Sequence, residues 1–249
     1  MHPARPKISI ITVCYNAAET IEKTLVSVQQ QDYPNIEHLI IDGQSTDETL
    51  SIVAKYPHIS AVYSQSDKGI YDAMNKGIAR ATGDYLWFLH ADDQIYAADT
   101  LRLAMQGHQN EDFIYGKAML VNEEGQERPL EERKVHPERH SLSWKTLKNG
   151  MVICHQAMLV KRQMAPLYNL DYNLVGDLDW VINILKQTNS LRDCGQVMCS
   201  FVEGGTSTQH RKASLKQRFS VLTKHFGLLP TLWQHVFFAV KAFKRGSVR

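Results

Sequence analysis

Apolar and polar positions along the first ninety residues follow two alternating rhythms. Lys7–Cys14 is a compact run rich in Ile and Val and reads as a buried strand. Ala18–Gln31 instead sets Ile21, Leu25 and Val28 at helical spacing. The alternation repeats with a strand at Ile36–Asp42 and a helix at Thr46–Lys55. A strand at Ile59–Ser64, a helix at Ile70–Ala81 and a strand at Tyr85–His90 follow. Strand, helix and strand at this spacing predict βαβ units on a parallel sheet.

Beyond His90 the rhythm changes. A helix is expected at Ala97–Met105 and a strand at Phe113–Val121. Asn122–His140, charged and carrying two prolines, reads as an exposed loop or hairpin. Gln156–Lys161 and Gln196–Val202 read as strands, Asp177–Lys186 as a helix. Two helices, about Lys212–Phe226 and Thr231–Lys244, close the chain. No repeat, low-complexity stretch or linker interrupts it, so one α/β domain with a C-terminal extension is the simplest organisation.

Composition adds exclusions. With 249 residues and 43% hydrophobic content the chain can bury a core without disulfides. Cys14, Cys154, Cys194 and Cys199 have no zinc-ligand spacing and read as reduced thiols. The apolar run after MHPARPK is too short for a secretory signal, and no stretch reaches the roughly 20 residues of a membrane span. A cytoplasmic location is therefore expected, or one peripheral on the inner face of the cytoplasmic membrane. The net charge of +2 hides an asymmetry: after Glu203 there are nine basic residues and no acidic one. A basic tail on an acidic body suggests an anionic partner.

Candidate chemistry gathers where strands end, since ligands of open parallel sheets bind beyond the carboxyl ends of the strands. Those ends carry Tyr15-Asn16, the run from Asp42 to Asp47, the turn Ser66-Asp67-Lys68-Gly69, and His90-Ala91-Asp92-Asp93. Asp42 is expected to face the crevice and accept hydrogen bonds from a base or ribose. Ser45 or Thr46 is expected to cap the following helix. Asp92-Asp93 reads as a turn with a helix cap or as a pair of hard oxygen ligands for a divalent cation. Asp177 opens a helix, where it fits a favourable charge at the positive end or a general base, with Trp180 offering a flat face to a sugar ring. GxG, Walker, GxSxG and HExxH patterns are absent, and no nucleic-acid partner is expected.

The motifs ISIITVCYN (8–16), IIDGQSTDET (40–49), SDKGIYDAMNKGIARATGDYLWFLHADD (66–93), CHQAM (154–158), GDLDW (176–180) and EGGTST (203–208) together resemble the family 2 glycosyltransferases and their GT-A fold. The 66–93 block is similar to short bacterial enzymes that build colanic-acid-type exopolysaccharide or O-antigen repeats. The resemblance implies a Rossmann-like, mixed, mostly parallel sheet flanked by helices, with a C-terminal helical extension. It implies a domain at 1–208, with a nucleotide-sugar half at about 1–95 and an acceptor half at about 96–208, and a basic extension at 209–249.

Residue by residue, it implies that Tyr15, Asn16, Asp42, Ser45, Asp67, Lys68, Gly69, Asp72, Asn75, Lys76 and Asp92 hold the nucleotide. Asp93 and Asp92 would hold Mg2+ or Mn2+, Asp177 would be the catalytic base, and His155, Gln156, Asp179, Trp180 and Gly205 would line the acceptor side. His90 stands where many relatives carry an aspartate, and Gly176 where an acidic residue often precedes the base.

The function implied is inverting transfer from a nucleotide-sugar donor, with UDP foremost, to a glycan or polyprenol-linked acceptor. A sugar-nucleotide nucleotidyltransferase would need a glycine-rich basic loop after the first strand, which Cys14-Tyr15-Asn16-Ala17-Ala18 is not. A non-catalytic scaffold would have lost the acids, which are present. In the tail, Leu232, Val236, Val240 and Phe243 share a helical face, with Trp233 and Phe237 beside them. That helix either packs on the domain or lies in an anionic membrane surface.

Overall fold

The computed structural model describes residues 5–121, 142–202 and 210–235. The Asn122–His140 segment, Gly205 and the residues beyond 235 lie outside them.

An eight-stranded sheet has the order β3-β2-β1-β4-β7-β6-β8-β5. β1 (Ile8–Cys14), β2 (Ile36–Asp42), β3 (Ala61–Ser64) and β4 (Tyr85–Phe88) pair in parallel. Every residue of β1 is buried, the signature of a strand covered on both faces. β7 (Met158–Lys161) runs antiparallel to both β4 and β6 (Phe113–Val121). β8 (Leu191–Val202) runs parallel to β6, and the two-residue β5 (Gln94–Ile95) antiparallel to β8. The sheet is therefore mixed and mostly parallel, as expected.

Helices cover both faces. α3 (Ile70–Arg80), α5 (Gly176–Gln187) and α6 (Arg211–Phe226) share one core with Ile11, Leu39, Phe88 and Val160. α1 (Ile21–Gln29), α2 (Thr49–Val53) and α4 (Thr100–Ala104) close the opposite face. α6 was expected in an extension, yet its Val221 and Leu222 are buried in the same core as α5. Residues 228–235 form a further helical segment. No described helix is long and apolar enough to cross a membrane.

Three expectations are corrected. α2 and α4 are five-residue helices instead of ten- and nine-residue ones: ahead of α2 the Thr46 and Asp47 side chains bond to Asn16 and Ala18 after β1, and ahead of α4 the Ala97 and Ala98 carbonyls accept from Gln31 Nε2 and Asp32 N. Neither Ser45 nor Thr46 caps α2. Asp47 does that work, accepting from Thr49 N at 3.0 Å and Thr49 Oγ1 at 2.5 Å. Residues 155–157 form a single 3-10 turn ahead of β7 instead of its first residues.

Candidate active site

The parallel strands end at one edge, and the loops that leave them are bonded to one another. Asn16, in the left-handed region at φ 47°, accepts Thr46 N at 2.9 Å and donates its own N–H to Ser45 Oγ at 2.8 Å. Ala18 N donates to Asp47 at 3.0 Å. A Cβ on Gly43 would sit 2.7 Å from Asp67 Oδ2 and 3.3 Å from the Tyr15 ring, so these three loops meet at that glycine. Tyr15 itself is 63% exposed and projects from the edge.

Asp42 departs from its expected orientation. It is fully buried, and its carboxylate accepts Ser45 Oγ at 2.5 Å, Ser45 N at 3.1 Å and Ser64 Oγ at 2.6 Å. It braces the edge from within instead of facing the crevice. The turn after β3 is braced similarly. Gly69 N donates to Asp67 at 2.8 Å and Lys68 N to Asp72 at 3.0 Å. Lys76 Nζ donates to Ser66 O at 2.5 Å and pairs with Asp72 at 3.5 Å. Asn75 exchanges two bonds with the Tyr168 backbone, at 2.7 and 3.0 Å. Asp72, Asn75 and Lys76 thus hold the loops, while the Lys68 side chain and Tyr15 stand exposed.

The acidic pair divides by burial. Asp92 is exposed, whereas Asp93 is 1% exposed and accepts His90 N at 3.3 Å through Oδ2. Asp93 Oδ1 has no hydrogen-bond partner of ordinary geometry among the described residues, although the Gln156 side chain interacts with the same carboxyl. Burial pushes the Asp93 carboxyl well above the ordinary range, and the Asp92 charge adds to this. Among the described residues no three His, Cys, Asp or Glu side chains form a complete metal cage. One unpartnered buried carboxylate oxygen beside an exposed carboxylate suits a hard cation that takes its other ligands from phosphate oxygens and water. These residues therefore fit Mg2+ or Mn2+.

His155 and Gln156 lie across from this turn, because β7 pairs antiparallel with β4. Both are buried. His155 Nε2 is 2.7 Å from the Tyr168 hydroxyl, and its ring centroid is 6.1 Å from that of His90. Burial, aided by His90, lowers the His155 pKa to about 3, so the ring is neutral.

Asp177 sits half-buried in the first turn of α5 and accepts the Tyr71 hydroxyl at 3.3 Å. Burial raises its pKa, against the pull of the Leu178 N–H, the Tyr71 hydroxyl and the Arg218 charge. A Cβ on Gly176 would lie 2.9 Å from the Tyr71 ring. That contact explains why no acidic side chain precedes Asp177. Trp180 is 1% exposed, stacked on Tyr168 at 4.7 Å, and donates Nε1–H to Pro166 O at 2.7 Å. It is a core residue and offers no face to a sugar. Asp179, expected on the acceptor side, is also buried and bonds to His225 and Lys224 of α6.

Sequence reasoning missed Tyr71, Tyr168 and Arg218. Tyr71 lies in the 66–93 block, but nothing in its spacing shows that it reaches Asp177 from 106 positions away. Arg218 carries a buried Nε without a partner among the described residues.

The convergent polar loops at the strand ends, the unpartnered buried Asp93 oxygen and the Asp177 carboxylate held by Tyr71 together make up the candidate active site. The family described as "Glycosyl transferase family 2" matches residues 9–165. A Mycobacterium tuberculosis protein named as an uncharacterized glycosyltransferase is 31% identical over 84% of this chain and 79% of its own length. The PGL/p-HBAD biosynthesis glycosyltransferase of Mycobacterium bovis is 33% identical over 72% of this chain and 70% of its own. The putative teichuronic acid biosynthesis glycosyltransferase TuaG of Bacillus subtilis is 29% identical over 97% and 98%.

Among solved structures, S. aureus TarS 1-349 with UDP-GlcNAc superposes with a TM-score of 0.67 at 18% identity, over 93% of this chain and 73% of that one. The mannosyltransferase PcManGT of Pyrobaculum calidifontis, with GDP-Man and Mn2+, does so at 0.67 and 20%, over 94% and 71%. The fold is GT-A. The chain belongs to glycosyltransferase family 2.

Proposed function

We propose that the protein moves a sugar from a nucleoside-diphospho-sugar, a UDP-sugar foremost, to a hydroxyl of a glycan or polyprenol-linked acceptor in cell-surface polysaccharide assembly, with inversion. The names of the relatives, which refer to teichuronic acid and PGL biosynthesis, support this setting, and a polyprenol-linked acceptor puts the work at the inner face of the cytoplasmic membrane. The carrying observation is Asp177, a half-buried carboxylate held by Tyr71 at the start of α5.

In this reading Asp177 takes the proton of the acceptor hydroxyl as its oxygen bonds to the anomeric carbon. The carbon–oxygen bond to the diphosphate breaks on the opposite side, and its electron pair leaves with the diphosphate. Tyr71 orients the base through its hydroxyl. Asp93 and Asp92 would hold Mg2+ or Mn2+, which supplies Lewis-acid stabilisation of the diphosphate charge. Tyr15, Asn16, Ser45 and the Asp67–Gly69 turn form the nucleotide wall, and Asp42 fixes its shape from behind. His155 and Gln156 line the acceptor half.

A thermal-shift panel of UDP, GDP, dTDP and CMP, each with and without Mn2+ or Mg2+, tests the reading. A ligand of the folded state alone at 100 times its Kd stabilises by about 2.7 kcal/mol. A metal-dependent rise with UDP is expected. A protein that no diphosphate shifts, with either metal, would contradict it.

A further inference from the structure

The helical segment 228–235 has its polar and apolar faces reversed with respect to the protein. The inward side is polar. Thr231 is 2% exposed and donates to Gly227 O at 2.8 Å, and Gln234 donates to Asn149 Oδ1 at 2.7 Å. The His235 ring lies edge-on to Phe219 of α6 at 5.1 Å. The outward side is apolar: Leu228 and Leu232 are exposed, Leu229 is 79% exposed and Trp233 76%. These four positions, at i, i+1, i+4 and i+5, form one continuous stripe on a helix. A helix that only packed on the domain would turn that stripe inward.

The surroundings name the occupant. Along α6, against which the segment packs through Phe219, Arg211, Lys212, Lys216 and Leu215 are exposed. From residue 204 onward the sequence has no acidic residue. An exposed apolar face on a helix packed against one that exposes cations complements an anionic bilayer, into which such a face inserts at the headgroup boundary.

We propose that the outward face of 228–235 docks the protein on an anionic lipid surface, with Leu229 and Trp233 inserted and the α6 cations over the headgroups. A membrane-linked acceptor, as in the proposed function, gives this docking its purpose. The test needs neither donor nor acceptor, so docking and transfer can fail independently.

Full-length protein is floated with phosphatidylcholine vesicles with and without phosphatidylglycerol, at low and high salt. The Leu229→Ser/Trp233→Ser double variant is run alongside. Because Trp87 and Trp180 are fully buried and Trp144 is stacked on Phe226, a blue shift of tryptophan emission on adding vesicles reports chiefly on Trp233. Flotation with phosphatidylglycerol vesicles that weakens with salt, accompanied by the blue shift, is expected. The double variant should bind about tenfold less or weaker still, with an unchanged melting temperature. Wild-type protein that fails to float at low salt, or a double variant that floats as well as wild type, overturns the proposal. So does a wild-type dimer in solution that the double variant converts to monomer, because the face would then belong to a second copy.

Discussion

His225 donates its Nε2–H to Asp179 at 2.6 Å, both side chains almost fully enclosed, and so ties α6 to the helix that begins beside Asp177. Lys224 reaches the same carboxylate at 2.9 Å, and Lys186 donates to His225 Nδ1 at 2.9 Å. Burial alone would raise the Asp179 pKa, but the His225 and Lys224 bonds outweigh it and hold it below its ordinary value. Asp179→Ala leaves His225 without its acceptor. Since Lys224 is part-exposed, the expected cost is about 2 kcal/mol, less than a fully buried pair would give. For a chain of this size that is a fall in Tm of about 4–8 °C. An unchanged melt would show that α6 is held by Val221 and Leu222 alone.

Tyr71→Phe removes one hydroxyl and keeps the ring packed. The bond stabilises the charged form of Asp177, so its loss raises that pKa further, and the acidic limb of the pH–rate profile moves to higher pH. The rate at neutral pH should fall about 3–10-fold. A profile that stays in place would remove Tyr71 from the site.

Gly176→Ala separates helix propensity from sterics. Alanine would favour an exposed helix position by about 1 kcal/mol. Here the added methyl meets the Tyr71 ring at 2.9 Å, and overpacking wins, with an expected net loss of about 1–2 kcal/mol and displacement of Tyr71. A stabilised, fully active variant would contradict the contact.

How much was legible in the sequence depended on the kind of feature. β2 and β6 were legible to the residue, because their apolar runs are bounded by turn residues. The edge of the sheet was legible too, because a polar loop directly after a buried strand must lie where that strand leaves the core. Side-chain direction was not. Asp42 follows the strand rule, yet Ser45 and Ser64 turn its carboxylate inward. Trp180 had the right neighbours for a sugar platform, but Tyr168, twelve residues earlier, covers its face. Two-residue β5 carries too little pattern to detect and exists only because β8 accepts it.

His38 gives a pH test independent of the site. It is fully buried between Thr12 Oγ1 at 3.0 Å and His58 Nε2 at 3.1 Å, and burial, then His58, lowers its pKa to about 3. The unfolded chain binds the proton first, so stability present above pH 6.5 is lost as pH falls toward 3. Between pH 7 and 5 this one group accounts for about 2 kcal/mol, and His38→Gln should reduce the pH dependence of the urea midpoint accordingly. An unchanged slope would mean that His38 is charged in the fold.

Asp177 as the base of a sugar transfer is tested most directly by Asp177→Asn, with donor-nucleotide binding and transfer to acceptor measured on the same preparation. Binding within a few-fold of wild type and transfer reduced by ~10²–10⁴ is the predicted result. Transfer near the wild-type rate would contradict that role.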